Sequence, residues 1–215
     1  QKIISGAQQV VDNWKPRIDI DPKWEKVKLG SICDFVRGPF GGSLKKDIFV
    51  KDGYAVYEQS HAIYEDFSNF RYFIDDKKFN EMKRFEVKED DLIMSCSGTM
   101  GKTAIIPNGF KKGIINQALL KLTARKDLDI KFLKLWMGSE NFQSQLMSGV
   151  SGAAIKNVAS VSVLRELNLP LPTIVEQRQI VDKMELERLL IESNKKILDI
   201  YEQKVKEVIA KLWEK

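Results

Sequence analysis

The chain of 215 residues is long enough for one domain of ordinary size and an appended element. Its composition, 43% hydrophobic and 30% charged residues, is that of a globular protein and excludes a disordered or membrane protein. No segment approaches the ~20 consecutive apolar residues that span a bilayer. Two cysteines and one histidine exclude a disulfide framework and a structural zinc site, so we expect a cytoplasmic protein without a metal site.

The net charge of +5 is distributed unevenly along the chain. Residues 174–215 carry nine basic and nine acidic residues, so the excess lies in residues 1–173. Three windows there contain no acidic residue, namely 35–46, 92–126 and 141–165, whereas acids are concentrated between Asp47 and Asp91. Such separation favours a basic face that binds a polyanion, although chance clustering on a solvated surface is the alternative.

In chain order, the first fourteen residues have apolar side chains at helical spacing and predict a short helix that ends before Pro16. WEKVKLGSICDFV, from Trp24, predicts a strand or a short helix. Five later segments predict strands: YAVYEQ (54–59), RYFID (71–75), DDLIMSCS (90–97), KTAIIP (102–107) and INQALLKLTA (115–124). Residues 129–148 predict helical structure. We therefore expect a compact α+β domain.

The C-terminal part predicts one long helix. Thr173 and Glu176 form the T-x-x-E pattern of a capping box, and no glycine or proline follows up to Trp213. At ~1.5 Å per residue, forty residues give a helix of roughly 60 Å. Such a helix is too long for a domain of this size to cover, so we expect it to form a coiled coil with a partner helix. The alternative is a helix that packs wholly on its own domain. The apolar positions of the heptad seam are Ile180, Met184, Ile191, Leu198, Tyr201, Val205, Val208 and Leu212.

A weak internal repeat links the two ends of the chain. Residues 4–18 align with residues 191–205 at an offset of 187, with two identities and five conservative matches. This pattern fits a chain that opens with the end of one helix and closes with a second copy of it. Because the chain begins at Gln1 and not at methionine, we expect it to be part of a longer protein.

SCSGTMGKT, from Ser95 to Thr103, resembles a phosphate-binding loop only superficially. The G-x-x-x-x-G-K-[ST] pattern needs glycine where Cys96 stands, and a strand rather than a helix is predicted after Lys102. One interpretation is a turn whose backbone N–H groups, with Lys102, contact a nucleic-acid phosphate. A plain hairpin turn is the alternative.

RGPFGGSLKK, from Arg37 to Lys46, predicts a second glycine-rich loop. Its glycines allow a close backbone approach, and its lysines can pair with phosphates. Phe40 could stack against DNA, but core packing is the favoured alternative. His61 could contact a base edge together with Gln59 and Ser60, and a buried structural histidine is an equal alternative.

The acid-free windows supply the predicted DNA-binding residues. Lysines are the phosphate candidates, and serines and amides can read base edges. Gln117 could instead face the core of a continuous strand, INQALLKL. The predicted set is Arg37, Phe40, Gly41, Gly42, Ser43, Lys45, Lys46, Ser97, Lys102, Lys111, Lys112, Asn116, Gln117 and Lys156.

No catalytic pattern is found. The chain has no Asp/Asn-Pro-Pro-aromatic loop of an adenine methyltransferase, no G-x-G-x-x-G after a strand, and no nuclease-like Pro-Asp with a spaced acid-x-Lys. The pairs Asp75-Asp76 and Asp90-Asp91 are interpreted as turn or cap residues. We therefore expect neither methylation nor cleavage of DNA by this chain alone.

GVSGAAIKNVASVSVLRELNLPLPTIVEQRQIV, from Gly149 to Val181, resembles the specificity (S) subunits of type I restriction-modification systems. In that family a Leu-x-Leu-Pro-x-Pro run precedes Glu-Gln and an Ile-Val pair, which here are Glu176-Gln177 and Ile180-Val181. WEKVKLGSICDFVRG, DDLIMSCSGTMGK, GIINQALLKL and GAQQVVDNWKPRI resemble further signatures of the family. Asp90 stands where the family usually has glycine.

The resemblance implies the C-terminal half of such a subunit. Residues 1–22 would be the end of a preceding conserved helix and a linker, 23–172 a target recognition domain that binds DNA, and 173–215 a second conserved helix. The family pairs its helices as an antiparallel coiled coil, so a second conserved helix or a homodimer partner is expected. The chain would read one half of a bipartite site in double-stranded DNA.

The resemblance also implies methyltransferase (M) and restriction/motor (R) subunits as partners. S-adenosylmethionine, ATP and Mg²⁺ are then expected on those subunits and no cofactor on this chain. The recognition region of a single-chain restriction-methyltransferase and a coiled-coil scaffold with an incidental basic face are the alternatives.

Overall fold

The structure is a computed structural model that describes residues 6, 8–9, 11, 13–14, 17–40, 42–149 and 161–213. They form two compact units. One unit is Asp19–Arg178, and the other contains the described residues up to Ile18 and those from Gln179 onward.

Nine strands are present in Asp19–Arg178 as far as it is described. In chain order they are β1 (Glu25–Lys28), β2 (Cys33–Arg37), β3 (Tyr54–Tyr57), β4 (Phe73–Ile74), β5 (Leu92–Ser95), β6 (Thr103–Ile105), β7 (Gly113–Ile115), β8 (Leu119–Ala124) and β9 (Asn168–Leu171). Their order is β2-β8-β5-β6 in a four-stranded antiparallel sheet, β4-β3-β7 in a three-stranded sheet and β1-β9 in a two-stranded ribbon. Strand β7 runs parallel to β3, with Tyr57 opposite Ile115.

Seven α-helices accompany these strands in the described part of the chain from Asp19 onward. They are α1 (Leu29–Ile32), α2 (Gln59–Tyr64), α3 (Asp76–Glu81), α4 (Ile130–Met137), α5 (Glu140–Gly149), α6 (Val161–Glu166) and α7 (Ile174–Trp213). The mixture of helices and sheets with one long C-terminal helix confirms the predicted fold class. Within the described residues, no helix has both the length and the apolar character needed to cross a membrane.

The prediction of one strand at 115–124 was wrong. Asn116 Oδ1 accepts a hydrogen bond from the Ala118 backbone N–H (2.9 Å), and the resulting turn separates β7 from β8. Gln117 is exposed in that turn, so the alternative that it faces the core was wrong as well. The turn joins strands of two different sheets, which a linear apolar pattern does not reveal.

The helical prediction for 129–148 is confirmed, but the segment forms two helices with a break between them. Helix α4 ends at Met137, and the Gly138 N–H still bonds back to Leu135 O (3.1 Å). Ser139 Oγ accepts from the Phe142 N–H (3.4 Å) and thereby caps a new helix, α5. Trp136 and Phe142 pack edge to face across the break, with ring centroids 5.1 Å apart.

Three helices of six residues each, α2, α3 and α6, had no counterpart in the sequence-based prediction. Segments of that length are too short to show a helical period. The predicted strand at 54–59 ends at Tyr57, because Glu58 and His61 form a capping box that starts α2. Asp75 caps α3 by accepting from the Lys78 N–H (2.7 Å), which confirms the cap interpretation for that residue.

The two larger sheets are joined by a buried ion pair. Lys121 of β8 and Asp91, which precedes β5, lie 3.4 Å apart, with 9% and 1% of their side chains exposed. Asp91 also accepts from the Lys88 N–H (2.7 Å) and the Thr123 hydroxyl, and Lys121 donates to the carbonyl of Glu86. Glu86 bridges to Ile114 of β7, so the pair connects the four-stranded sheet to the three-stranded one.

The start of α7 is fixed to the domain by Gln177, which is fully buried. Its amide donates to Asp127 O and Pro172 O (both 3.0 Å) and accepts from the Asp129 N–H (2.8 Å). The predicted capping box is confirmed: Glu176 accepts from the Thr173 N–H (2.9 Å), and Thr173 Oγ1 accepts from the Glu176 N–H (3.3 Å). Paired backbone groups thus define where the long helix begins.

In the unit that contains most of α7, the predicted seam is partly buried. Met184 and Leu198 are buried, as is Val11 of the N-terminal segment, whose described residues between 6 and 13 are helical. Ile180 and Ile191 are half-buried. Tyr201, Val205 and Val208 are exposed, and the side chain of Leu212 lies outside the described part.

A second apolar stripe, which we call the flanking stripe, follows the seam. It consists of Leu186, Leu190, Ile197 and Ile200, all about half exposed. At 3.6 residues per turn these positions lie roughly a quarter of a turn from the seam. The apolar surface of α7 is therefore wider than the narrow seam of a two-stranded coiled coil.

Replacing Asp91 by Ala is expected to lower the free energy of unfolding by about 3–5 kcal/mol, because Lys121 would stay buried without its counter-ion. Urea unfolding measures the change. The matched control is Asp90→Gly at the exposed neighbour, whose φ of 62° suits glycine. The free energy of unfolding of this control should be unchanged or higher by up to ~1 kcal/mol. A loss below ~1 kcal/mol for Asp91→Ala would contradict the structural role of the pair.

Candidate nucleic-acid interface

Three loops come together at one edge of Asp19–Arg178, and we call them the loop face: residues 38–46, the hairpin loop 96–102 and the turn 116–118. The Gly38 N–H donates to Leu119 O (2.9 Å), and the Cys96 N–H donates to Ala118 O (2.8 Å). A Cβ on Gly38 would lie only 1.8 Å from Asn116 O, so this close approach requires glycine. Backbone contacts therefore fix the three loops against each other.

The hairpin loop 96–102 joins β5 to β6, so the expectation that no helix follows Lys102 is confirmed. Ser95 Oγ donates to Thr99 O (2.6 Å) and accepts from the Lys102 N–H (3.0 Å). Gly98 and Gly101 adopt φ values of 62° and 77°. Ser97 and Lys102 project from this braced loop into solvent.

The loop 38–46 exposes most of its side chains. Phe40 is 89% exposed, so the favoured expectation that it packs in the core was wrong. The Ser43 N–H donates to Phe40 O (3.0 Å) and closes a turn. Gly42, Ser43, Lys45 and Lys46 are exposed, whereas Gly41 lies outside the described residues, as does Lys156.

Arg37 lies at the end of β2, beside Cys96. Its guanidinium is partly buried, and Nη1 makes no hydrogen bond within the described residues. Burial raises the pKa of the Cys96 thiol to about 11, although Arg37 opposes this shift, and burial raises the pKa of Cys33 to about 12. Neither thiol therefore has the lowered pKa that is typical of a reactive cysteine.

Lys111 and Lys112 are separated from the loop face. They precede β7, whereas Asn116 and Gln117 follow it, so the two pairs lie at opposite ends of this strand. Lys111 pairs with Asp52 (3.1 Å) and lies over the ring of Phe73. Lys112 lies over the rings of Tyr54 and Phe79. The structure thus does not bring these lysines together with the three loops.

His61 is a buried structural residue, so of the two alternatives that the sequence left open the structural one is confirmed. Its side chain is 3% exposed and stacks on Phe70 with a centroid distance of 4.8 Å. Nδ1 accepts from the Glu58 N–H (2.9 Å), so Nε2 carries the proton that it donates to Asn69 O (3.0 Å).

A cleft of about 250 Å³ adjoins the loop face. It is lined by Leu44, Lys46, Phe49, Val56, Glu58, Arg71, Tyr72, Asn116 and Gln117. Three of these residues were predicted from the sequence, namely Lys46, Asn116 and Gln117. Glu58 and Arg71 were not, because both lie in the acid-rich stretch from Asp47 to Asp91.

Arg71 is oriented by two neighbours. Its Nη2 donates to Glu58 Oε1 (2.8 Å), and its guanidinium lies 4.8 Å from the centroid of the Tyr72 ring. Tyr72 in turn stacks on Phe49 at 4.4 Å. Arginine is protonated at physiological pH, and the hydrogen bond to Glu58 raises the pKa of Arg71 further above its ordinary value. Within the described residues, no group of acids, histidines or cysteines is arranged to hold a metal ion.

The chain is similar to proteins of a known family. Residues 22–202 match the family model described as the type I restriction modification DNA specificity domain. Over 110 residues the chain is 27% identical to the specificity subunit of the type I restriction enzyme EcoBI from Escherichia coli, an alignment that covers 49% of this chain and 22% of that protein.

Two solved structures share the fold over almost the whole chain. A chain from a study of assembly and conformational transition of the type I R-M system superposes with a TM-score of 0.67, at 18% identity, over 96% of this chain and 50% of that one. The HsdS subunit from Thermoanaerobacter tengcongensis gives a TM-score of 0.62, at 18% identity, over 92% and 47%. The chain thus spans about half the length of these relatives.

The close approach at Gly38 can be tested by adding one methyl group. Gly38→Ala is expected to lower the free energy of unfolding by about 1–3 kcal/mol, because its Cβ would overlap Asn116 O and force the loops apart. Gly42→Ala is the matched control in the same loop, since nothing lies within 4 Å of its Cβ. Equal stability of the two variants in urea unfolding would contradict the packed loop face.

Proposed function

Since the chain belongs to the family of type I restriction-modification DNA specificity domains, we propose that it recognises one half of a bipartite target in double-stranded DNA and contributes no catalytic group. The observation that carries the proposal is the loop face. Three loops that are distant in sequence project Phe40, Lys45, Lys46, Lys102 and Gln117 into solvent from one backbone-bonded edge.

The side chains of the loop face suit two kinds of DNA contact. Lys45, Lys46 and Lys102 supply positive charge for phosphates, which positions the protein without reading sequence. Ser43, Ser97 and Gln117 carry donors and acceptors for base edges in the major groove, and Phe40 offers an aromatic surface for stacking. Gly41 and Lys156 remain candidates from the sequence.

We further propose that the long helix α7 docks methyltransferase subunits. The seam accounts for one partner helix, whether a second conserved helix or a second copy of the chain. The flanking stripe leaves a further apolar strip that favours packing in a bundle of more than two helices. Restriction/motor subunits would join the same cytoplasmic complex, with S-adenosylmethionine, ATP and Mg²⁺ bound by the partner subunits.

The salt dependence of DNA binding tests the loop face. Replacing Lys45, Lys46 or Lys102 by Gln is expected to reduce the magnitude of the slope of log K against log salt concentration by about 0.9 for each phosphate that is no longer neutralised. Lys77→Gln on α3 and Lys111→Gln at the other end of β7 are matched controls that remove the same charge. If a control lowers the slope as much as the loop variants do, the loop face is not the DNA-binding surface.

A charge introduced into the flanking stripe tests whether methyltransferase subunits dock there. Ile197→Asp is expected to abolish co-purification with the methyltransferase subunits, because an aspartate would be desolvated in the helix interface. Gln203→Asp adds the same charge at an exposed position on another side of α7 and should leave assembly intact. Co-purification of both variants at the wild-type level would argue against docking on the flanking stripe.

A further inference from the structure

The cleft beside the loop face contains one arginine whose orientation is set before any ligand arrives. Arg71 donates to the carboxylate of Glu58, and its guanidinium lies over the ring of Tyr72, which stacks on Phe49. Glu58 is itself held in place, because its backbone N–H donates to His61 Nδ1 (2.9 Å) and its side chain is only 16% exposed. The Arg71 side chain is 70% exposed and thus accessible to a ligand, and these contacts reduce the conformational freedom that the guanidinium loses on binding.

The pair of Arg71 and Glu58 is locally neutral, which distinguishes it from Lys46 in the same cleft and from the other lysines of the loop face. A phosphate that approached Arg71 would also meet the carboxylate of Glu58, and like charges repel. A base edge carries partial charges but no net charge. The ion pair occupies Nη2, and a guanidinium has five N–H donors, so donors remain for a planar acceptor pair.

We propose that Arg71 is a specificity-determining residue that reads one guanine of the half-site, with Glu58 as the residue that positions it. This inference rests on the proposed DNA recognition. The fork of a guanidinium matches the O6 and N7 acceptors that guanine presents in the major groove. Asn116 and Gln117 line the same cleft and lie within the loop face, so the arginine belongs to the surface proposed to contact DNA.

The experiment uses the complete restriction-modification complex that contains this chain. Methylome sequencing of a host that carries the wild-type system defines the target, and binding is then measured on duplexes in which each guanine of the half-site is replaced in turn by 7-deazaguanine. The wild-type complex is expected to lose about 5- to 150-fold in affinity at one of these positions, because the N7 acceptor is missing there.

Arg71→Ala should remove the sensitivity to 7-deazaguanine at that same position and relax the methylated motif there. Arg71→Lys should retain the charge but not the discrimination, since lysine lacks the fork. Arg84→Ala is the matched control, an exposed arginine from the same acid-rich stretch that should leave the motif unchanged.

Salt dependence separates base reading from phosphate binding. Arg71→Ala should leave the slope of log K against log salt unchanged, whereas Glu58→Gln should increase its magnitude by up to about 0.9, because the freed arginine then behaves as a phosphate-binding cation. A slope reduced by about 0.9 in Arg71→Ala, with the motif unaltered, overturns the assignment in favour of phosphate binding.

Two further outcomes have distinct meanings. A defined wild-type motif that is the same in Arg71→Ala, or that has no guanine in either half, overturns the assignment of Arg71 alone. A wild-type complex without any sequence preference overturns the proposed function and this inference with it.

Discussion

The ion pair between Asp91 and Lys121 is the constraint on which the candidate recognition surface depends. It lies where the four-stranded and three-stranded sheets meet, and the loops that follow β2, β5 and β7 extend from those sheets. A buried ion pair contributes little net stability compared with apolar packing, because both ions lose their hydration. Its hydrogen bonds are directional, however, and a one-residue slip of β8 would turn Lys121 away from Asp91. The pair thus favours one register of the strands, and that register determines which loops become neighbours.

The parts of the fold that follow local rules could be predicted from the sequence. The capping box at Thr173 and the forty-residue helix depend on spacing within a few turns, so their pattern is visible without tertiary contacts. The short helices were missed because six residues are too few to show a helical period, and only the local caps at Glu58 and Asp75 mark where α2 and α3 begin. The break at Asn116–Ala118 escaped prediction because apolar residues continue on both sides of it.

The candidate site was predicted in part for a related reason. Charge windows along the chain drew attention to residues that the structure places in adjoining loops, such as Lys45 and Lys102. The same windows also included Lys111, because counting charges along the sequence does not show that the residues before and after β7 lie at opposite ends of that strand. Arg71 was overlooked since its neighbours in sequence are acidic, although one of those acids, Glu58, is the group that orients it.

The way the loops are bonded bears on how the target of such a protein can change during evolution. Main-chain atoms hold the three loops together, through Gly38, Cys96, Asn116 and Ala118, whereas Ser43, Ser97 and Gln117 direct their side chains outward. In the proposed interface, a single codon change at an outward position alters the side chain that faces DNA and leaves the framework intact. A change at Gly38 disturbs all three loops at once. Selection can therefore explore new targets through a few exposed positions while the loop framework stays the same.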